Sequence, residues 1–288
     1  NSDGTKSITI SAAGNISGTT LESTTISGTV TLNTIPRASS ITSVSAITLG
    51  NSCNVKWTPL SSNFAYKLNF ACNGVSYTTG YITPGTTSAY TYTGYTMTVD
   101  AWAKAMPKAY SATCTVTLYT YTSSSSTTAV GSSSKTFTIT LSSSEKPKVT
   151  FATPALVNGW NGYYIQGKSK CTLSATFAAG TGSTISSCSI SGTGLSKTGT
   201  GTSLSDTTSV LTKSGTFTYT ATVTDGRTSV SATQQITVQA YANPIISVTA
   251  ARSSTSGQVN FNYNVSCSPI SGKNSLKTLT IYKKLSTD

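Results

Sequence analysis

Seven carboxylates and no histidine set the limits of what this chain could do chemically. The acids are Asp3, Glu22, Asp100, Glu145, Asp206, Asp225 and Asp288. Without His, a Ser-His-Asp or Cys-His nucleophile system is excluded, and so are most zinc sites. Glycoside hydrolysis needs two carboxylates about 5–10 Å apart. Only Asp206 (LSDTT) and Asp225 (TDGRT) fall within one stretch at plausible strand ends, and turn-forming Asp explains both. No acidic cluster has calcium-loop spacing. The Gly-rich GTGLSKTGTG (192–201) lacks the GK[ST] of a phosphate loop, so it reads as turns. No cofactor and no metal is expected, and the chain reads as non-enzymatic.

Aromatic residues are the better candidates for function. AWAKAMPKAY (101–110) breaks the surrounding alternation and reads as an exposed loop carrying Trp102 and Tyr110 beside Lys104 and Lys108. NGWNGYYIQGKSK (158–170) offers Trp160 in a second loop beside Lys168 and Lys170. Aromatic and polar groups on loops at a sandwich end suit contact with sugars or a protein partner. Trp102, Tyr110 and Trp160 are therefore the candidate binding residues, while the ordinary reading of Trp160 is that it caps its own domain. Tyr90 and Tyr92 alternate on one strand face and read as cross-strand packing. Asn15-Ile16-Ser17 and Asn264-Val265-Ser266 match the glycosylation sequon, which an Asn/Ser-rich chain produces by chance.

The elements that must position these groups are β-strands. The 288 residues carry 19 basic and 7 acidic groups, a net charge of +12. Charged residues make up only 9%, against roughly 25% in ordinary domains. Ser and Thr fill more than a third of the chain, which fits strands with neutral, hydroxyl-rich solvent faces. The basic groups are dispersed, with no run of five, so there is no nucleic-acid arm and no polybasic membrane motif. Solubility explains the charge; attraction to an anionic surface such as a cell-wall glycopolymer is the sharper reading. No apolar stretch approaches the ~18 residues of a membrane span.

Period-2 alternation dominates, and no segment reads as a convincing helix. SITISA (7–12) and TISGTVTL (25–32) read as paired strands around a polar turn over 14–23. Pro36, Pro147 and Pro244 each separate one alternating run from the next, 111 and 97 residues apart. Proline cannot donate to a ladder and sits at strand starts or edges. A spacing near 100 residues is that of an immunoglobulin-like sandwich. The expected organisation is tandem immunoglobulin-like β-sandwiches in a rod: closing strands of one sandwich over 1–36, full sandwiches over 37–144 and 145–243, and the first strands of another over 244–288. The chain reads as an internal piece of a longer protein. YTSSSSTTAVGSSSK (121–135) is expected to be a long hairpin tip.

The six cysteines, Cys53, Cys72, Cys114, Cys171, Cys188 and Cys267, have no framework spacing. Each is most simply a small core hydrophobe. Cys53–Cys72 and Cys171–Cys188 stay open as cross-strand disulfides.

Four stretches resemble one family. NSDGTKSITI (1–10), TLNTIPRASSIT (31–42), YYIQGKSK (163–170) and TYTATVTDGRTSVSATQQITVQAYANPIISVTAARSSTSG (218–257) are similar to siphophage structural proteins from phages and prophages of Gram-positive bacteria, a family of unknown function. The IPRASSIT and IQGKSK pieces are the most specific. The family usually has a longer Asp-to-Arg turn than Asp225-Gly226-Arg227, and apolar residues at several positions that are Cys here. The resemblance implies a virion protein of the tail tip, baseplate or a fibre, with possible contact to the host surface. Its partners would be other tail proteins or copies of itself. The alternative is a bacterial or archaeal surface adhesin or filament subunit of stacked sandwiches.

Overall fold

The structure is a computed structural model that describes residues 6–12, 15–16, 19–20, 24–30, 35–276, 278–280 and 282. Among these residues nearly all regular structure is β. Two compact units are present: one contains residues up to Ala105 with Ser111–Leu141, the other Met106–Tyr110 with Ser142 onward. In the first unit, β1 (Lys6–Ala12) and β4 (Thr24–Val30) pair antiparallel, Lys6 opposite Val30 and Ala12 opposite Thr24. The polar turn expected over 14–23 lies partly outside the described residues. What is described there is a short pairing of β2 (Asn15–Ile16) with β3 (Thr19–Thr20).

After Pro36 comes a complete two-sheet sandwich. Its strands are β5 (Ile41–Val44), β6 (Ile47–Thr48), β7 (Val55–Trp57), β8 (Ala65–Cys72), β9 (Val75–Thr78), β10 (Tyr90–Tyr92), β11 (Ser111–Tyr121) and β12 (Gly131–Thr140). One sheet has the order β10-β7-β5 and the other β6-β12-β11-β8-β9. The alternation in the sequence is the cause. Val55 and Trp57 on β7, Leu68, Phe70 and Cys72 on β8, and Cys114, Val116 and Leu118 on β11 all point inward and are buried. Each such side chain contributes about 1.5–3 kcal/mol of burial. The tip joining β11 to β12 takes up only residues 122–130 of the low-complexity stretch; Gly131 to Lys135, expected in the tip, instead pair with β11 as the start of β12.

The second unit repeats the plan. β13 (Lys148–Phe151) starts at the residue after Pro147, as the proline signal requires. It is followed by β14 (Ala155–Val157), β15 (Tyr164–Ile165), β16 (Lys170–Ala178), β17 (Ser187–Gly192), β18 (Leu195–Gly199), β19 (Ser203–Thr207), β20 (Gly215–Thr224) and β21 (Ser229–Gln239). One sheet is built on β16, with β13, β14 and β19 as its partners; the other is β15-β21-β20-β17-β18. The two sandwiches share one strand order. In each, a two-residue strand in the first third lies parallel to the last strand: Ile47 opposite Ile139, and Tyr164 opposite Val238. Among the described residues every other ladder is antiparallel. This is the immunoglobulin-like arrangement expected from the sequence. The second core holds Cys171, Leu173, Ala175, Phe177, Ile190, Tyr219, Ala221, Val223 and Ile236.

The hydroxyl-rich composition also has a structural reason. On the solvent faces, paired hydroxyls bridge the strands: Thr172–Thr207 at 2.8 Å, Ser174–Ser205 at 2.7 Å, Thr222–Ser231 at 2.8 Å and Thr117–Ser134 at 2.9 Å. Such cross-strand pairs contribute roughly 0.2–1 kcal/mol each without any charge.

Last in the second unit, β22 (Ile245–Arg252) begins directly after Pro244 and pairs antiparallel with β23 (Val259–Ser266). Of the opening strands expected over 244–288, two are found among the described residues. Pairing places Ile246 opposite Val265, Val248 opposite Tyr263 and Ala250 opposite Phe261 on one face, and Ser247, Thr249, Asn262 and Asn264 on the other.

Two expectations are corrected, and one open question is closed. Residues 101–110 are not an exposed loop: α1 (Val99–Trp102) and a 3₁₀ turn (Ala103–Ala105) bury Trp102 and Ala105. The Gly-rich 192–201 is not only turns, because Leu195–Gly199 forms β18 against β17. Neither disulfide exists: all six cysteines are free.

Candidate binding surface

The backbone around Trp160 is fixed by a tight hairpin. Asn161 (φ 49°) and Gly162 (φ 80°) occupy its two central positions. This is the mirror-image turn that Asn-Gly favours, because both residues take positive φ at low cost. Trp160 N–H donates to the Tyr163 carbonyl at 3.1 Å and Tyr163 N–H donates back at 2.9 Å. Just upstream, Asn158 also has positive φ (53°). A Cβ at Gly159 would come within 2.1 Å of the Leu156 side chain, so a larger residue there requires Leu156 to move. Ser169 ties the loop down: its hydroxyl donates to the Asn158 carbonyl (3.0 Å) and accepts from Ile165 N–H (2.8 Å).

Trp160 is left 41% exposed on the wall of a cleft of ≈ 650 Å³. Tyr241, Lys168, Asn158, Ile270 and Asn274 also line it. The Lys168 ammonium stands 5.9 Å from the centre of the Tyr241 ring, within cation–π range. The far wall is braced by hydrogen bonds. Ser268 Oγ accepts from Ala242 N–H (2.6 Å) and donates to the Ala242 carbonyl (3.1 Å). Ser271 Oγ donates to Gln239 Oε1 (2.9 Å), and Asn274 Nδ2 donates to the Ser268 carbonyl (2.7 Å).

The three aromatic candidates thus have different settings. Trp102 is 1% exposed, and its Nε1 donates to Tyr95 Oη at 2.8 Å. It is a core residue and cannot present its indole to a ligand. Tyr110 is half-buried, with the Arg227 guanidinium 5.9 Å from its ring centre. Trp160 alone of the three has an exposed ring on a cleft. Tyr90 packs edge-on against Trp57 with ring centres 5.0 Å apart, as its spacing suggested.

The two carboxylates singled out from the sequence are held in structural bonds. Asp225 is buried and accepts the backbone N–H groups of Gly180 (3.0 Å), Arg227 (3.0 Å) and Thr228 (3.3 Å). Asp206 lies on β19, where it accepts from Thr207 N–H and stands 3.5 Å from the Lys197 ammonium.

Burial holds four of the thiols in their protonated form. Burial pushes Cys53 from its ordinary 9 up to about 12, and raises Cys114, Cys171 and Cys188 as well. The neighbouring Cys72 raises Cys114 further, and its own thiol donates to the Thr113 carbonyl at 3.6 Å. The β8–β11 register, with Ala71 opposite Thr115, brings those two cysteines abreast. This neighbour relationship was missed in the sequence, because the two lie 42 positions apart and nothing local specifies the register.

No curated protein matches the chain. Among solved structures, the fibronectin(III)-like modules of Clostridium thermocellum CbhA are 12% identical, over 70% of this chain and 95% of that one, with a TM-score of 0.24. Three N-terminal domains of the bacteriophage RB49 Highly Immunogenic Outer Capsid protein are 14% identical, over 80% and 70%, with a TM-score of 0.24. Scores this low leave the fold argument resting on the strand pairing itself. A family described as "Siphovirus protein of unknown function" matches residues 1–283. The chain belongs to that siphovirus family.

Proposed function

We propose that this protein is a non-enzymatic structural component of a siphovirus tail, baseplate or fibre, assembled from sandwich domains with seams near residues 36, 144 and 243, and that it contacts the host cell surface. The observation that carries the reading is repetition. One strand order is used for two consecutive sandwiches. A further antiparallel strand pair after Pro244 opens as the second sandwich does after Pro147, in a chain of a siphovirus family. Repeating a stable module adds length to an assembly without new chemistry.

The exposed face of the β22–β23 ribbon supports an assembled state. Ile246, Val248, Phe261 and Tyr263 are each more than half exposed on one side. In both complete sandwiches the equivalent opening strands are covered by a five-stranded sheet. A contiguous apolar face of this kind marks a surface that another element covers.

The test is antibody labelling of intact siphovirus particles with a probe raised against residues 146–240. Label confined to the tail or its tip is expected. Label on the head alone, or on the surfaces of uninfected cells, overturns the reading in favour of a decoration protein or a cell-surface adhesin.

A further inference from the structure

We infer that the cleft beside Trp160 is a binding site for an anionic saccharide, a sugar unit carrying a phosphate or carboxylate. The inference rests on the proposed host contact and names the chemistry that would make it.

The volume, ≈ 650 Å³, lies in the range of small-ligand sites, about 300–1,000 Å³. Its lining pairs two kinds of group. Trp160 and Tyr241 offer ring surface, and a sugar ring has an apolar C–H face that packs on such rings while its hydroxyls stay wet. Trp160 does not turn this surface inward: it is 41% exposed on a hairpin held by reciprocal backbone hydrogen bonds. A rigid aromatic platform loses little conformational entropy on binding.

The second kind is polar. Asn158 and Asn274 lie at the wall, and the braces from Ser268 and Asn274 fix the far side before any ligand arrives. Lys168 supplies the only charge among the described lining residues, and none of them carries a carboxylate. A cation with no neutralising acid among the described lining residues favours an anion. The chain's net charge of +12 draws such polymers to it from a distance. Neutral glycans would leave Lys168 unused, and simple polyanions would leave both rings unused.

The test is calorimetric titration of the full 288-residue chain with four probes. Two are anionic saccharides: a glycosylated poly(glycerol phosphate), which carries phosphate, and tetragalacturonate, which carries carboxylate. Two are controls: chitotetraose, neutral, and inorganic polyphosphate, which has no sugar ring. At least one anionic saccharide is expected to bind, and the one preferred identifies the acid group. Trp160→Ala should weaken that binding roughly tenfold, equivalent to about 1.4 kcal/mol. Lys168→Gln should weaken it several-fold and flatten its salt dependence. Bound ligand should also slow alkylation of Cys267, which lines the cleft.

The inference is overturned if neither anionic saccharide binds, if polyphosphate or chitotetraose binds as well, or if Trp160→Ala changes nothing. Unchanged thermal melting checks that each variant folds. Should Trp160→Ala fail there, Tyr241→Ala and Lys168→Gln carry the same decision. Particle labelling can fail while saccharide binding stands, and the reverse, so the two readings fall separately.

Discussion

Trp160 and Tyr163 exchange both backbone hydrogen bonds, at 3.1 and 2.9 Å, across the two-residue turn Asn161-Gly162. This small ladder places an exposed indole on a cleft wall. Gly162 has φ 80° with open space around it, so a side chain there meets strain rather than a clash. Gly162→Val should destabilise the protein by about 1 kcal/mol, read as a lower urea midpoint at constant slope. A midpoint equal to that of the unaltered protein would show that the turn does not hold the loop.

Asp225 serves the fold. Its buried carboxylate accepts three backbone N–H groups, and Asp225→Ala would leave those donors without a partner. A loss of about 2–4 kcal/mol is expected in denaturant unfolding, since each unsatisfied buried group costs ~1–3 kcal/mol and the loop relaxes in part. Saccharide binding by the folded fraction should be unchanged.

The buried thiols make stability depend on pH. Cys53 is raised from 9 to about 12 in the folded protein, and Tyr219 from 10 to about 12, both chiefly by burial. An acid whose folded pKa is raised binds its proton more tightly in the native state. Its contribution is whole below the unfolded value and is lost as pH rises from about 9 towards 12. The urea midpoint should therefore hold steady from pH 7 to 8.5 and fall at pH 10.5. Cys53→Ala should reduce that fall relative to its own value at pH 7.

Alkylation should separate the cysteines. Cys267 is half-buried, whereas Cys53, Cys72, Cys114, Cys171 and Cys188 are buried. Mass spectrometry after brief iodoacetamide treatment at pH 8 should find Cys267 modified in the native protein and the other five only after unfolding. Native modification of Cys114 ahead of Cys267 would contradict the packing described.

The ribbon face predicts a split between stability and assembly. Phe261 and Tyr263 are 59% and 53% exposed. Replacing both with Ser should change the isolated chain by about 0.5 kcal/mol or less, as exposed substitutions do. The same change should reduce incorporation into particles, measured by quantitative mass spectrometry of purified virions. Normal incorporation would mean that this face is not an assembly surface.

How much of this could be read from the sequence depends on the range of the cause. Strands were legible wherever one face meets a core, as in AYKLNFAC (65–72) and CTVTLY (114–119), because burial forces the two-residue period. Two strand starts were legible because Pro147 and Pro244 directly precede strands. Trp102 was misread because four helical residues and a 3₁₀ turn are too short to show a helical period, and Lys104 and Lys108 made the stretch look solvated. The edge strand Leu195–Gly199 was missed because a solvated edge is half-buried only at its two ends, Leu195 and Gly199, and so shows no two-residue period. The cleft depended on bringing 268–276 against 158–168, a long-range juxtaposition that no local pattern encodes. Trp160 was found by residue type and loop context, while its partner Tyr241 and the bracing Ser268 were not.

The most direct measurement is adsorption of siphovirus particles carrying Trp160→Ala to host cells, with particle yield and tail morphology checked by electron microscopy. The account predicts normal particles whose adsorption rate falls roughly tenfold, in step with the loss of saccharide affinity. Normal particles that adsorb at the unaltered rate would contradict the claim that this structural protein touches the host through the cleft.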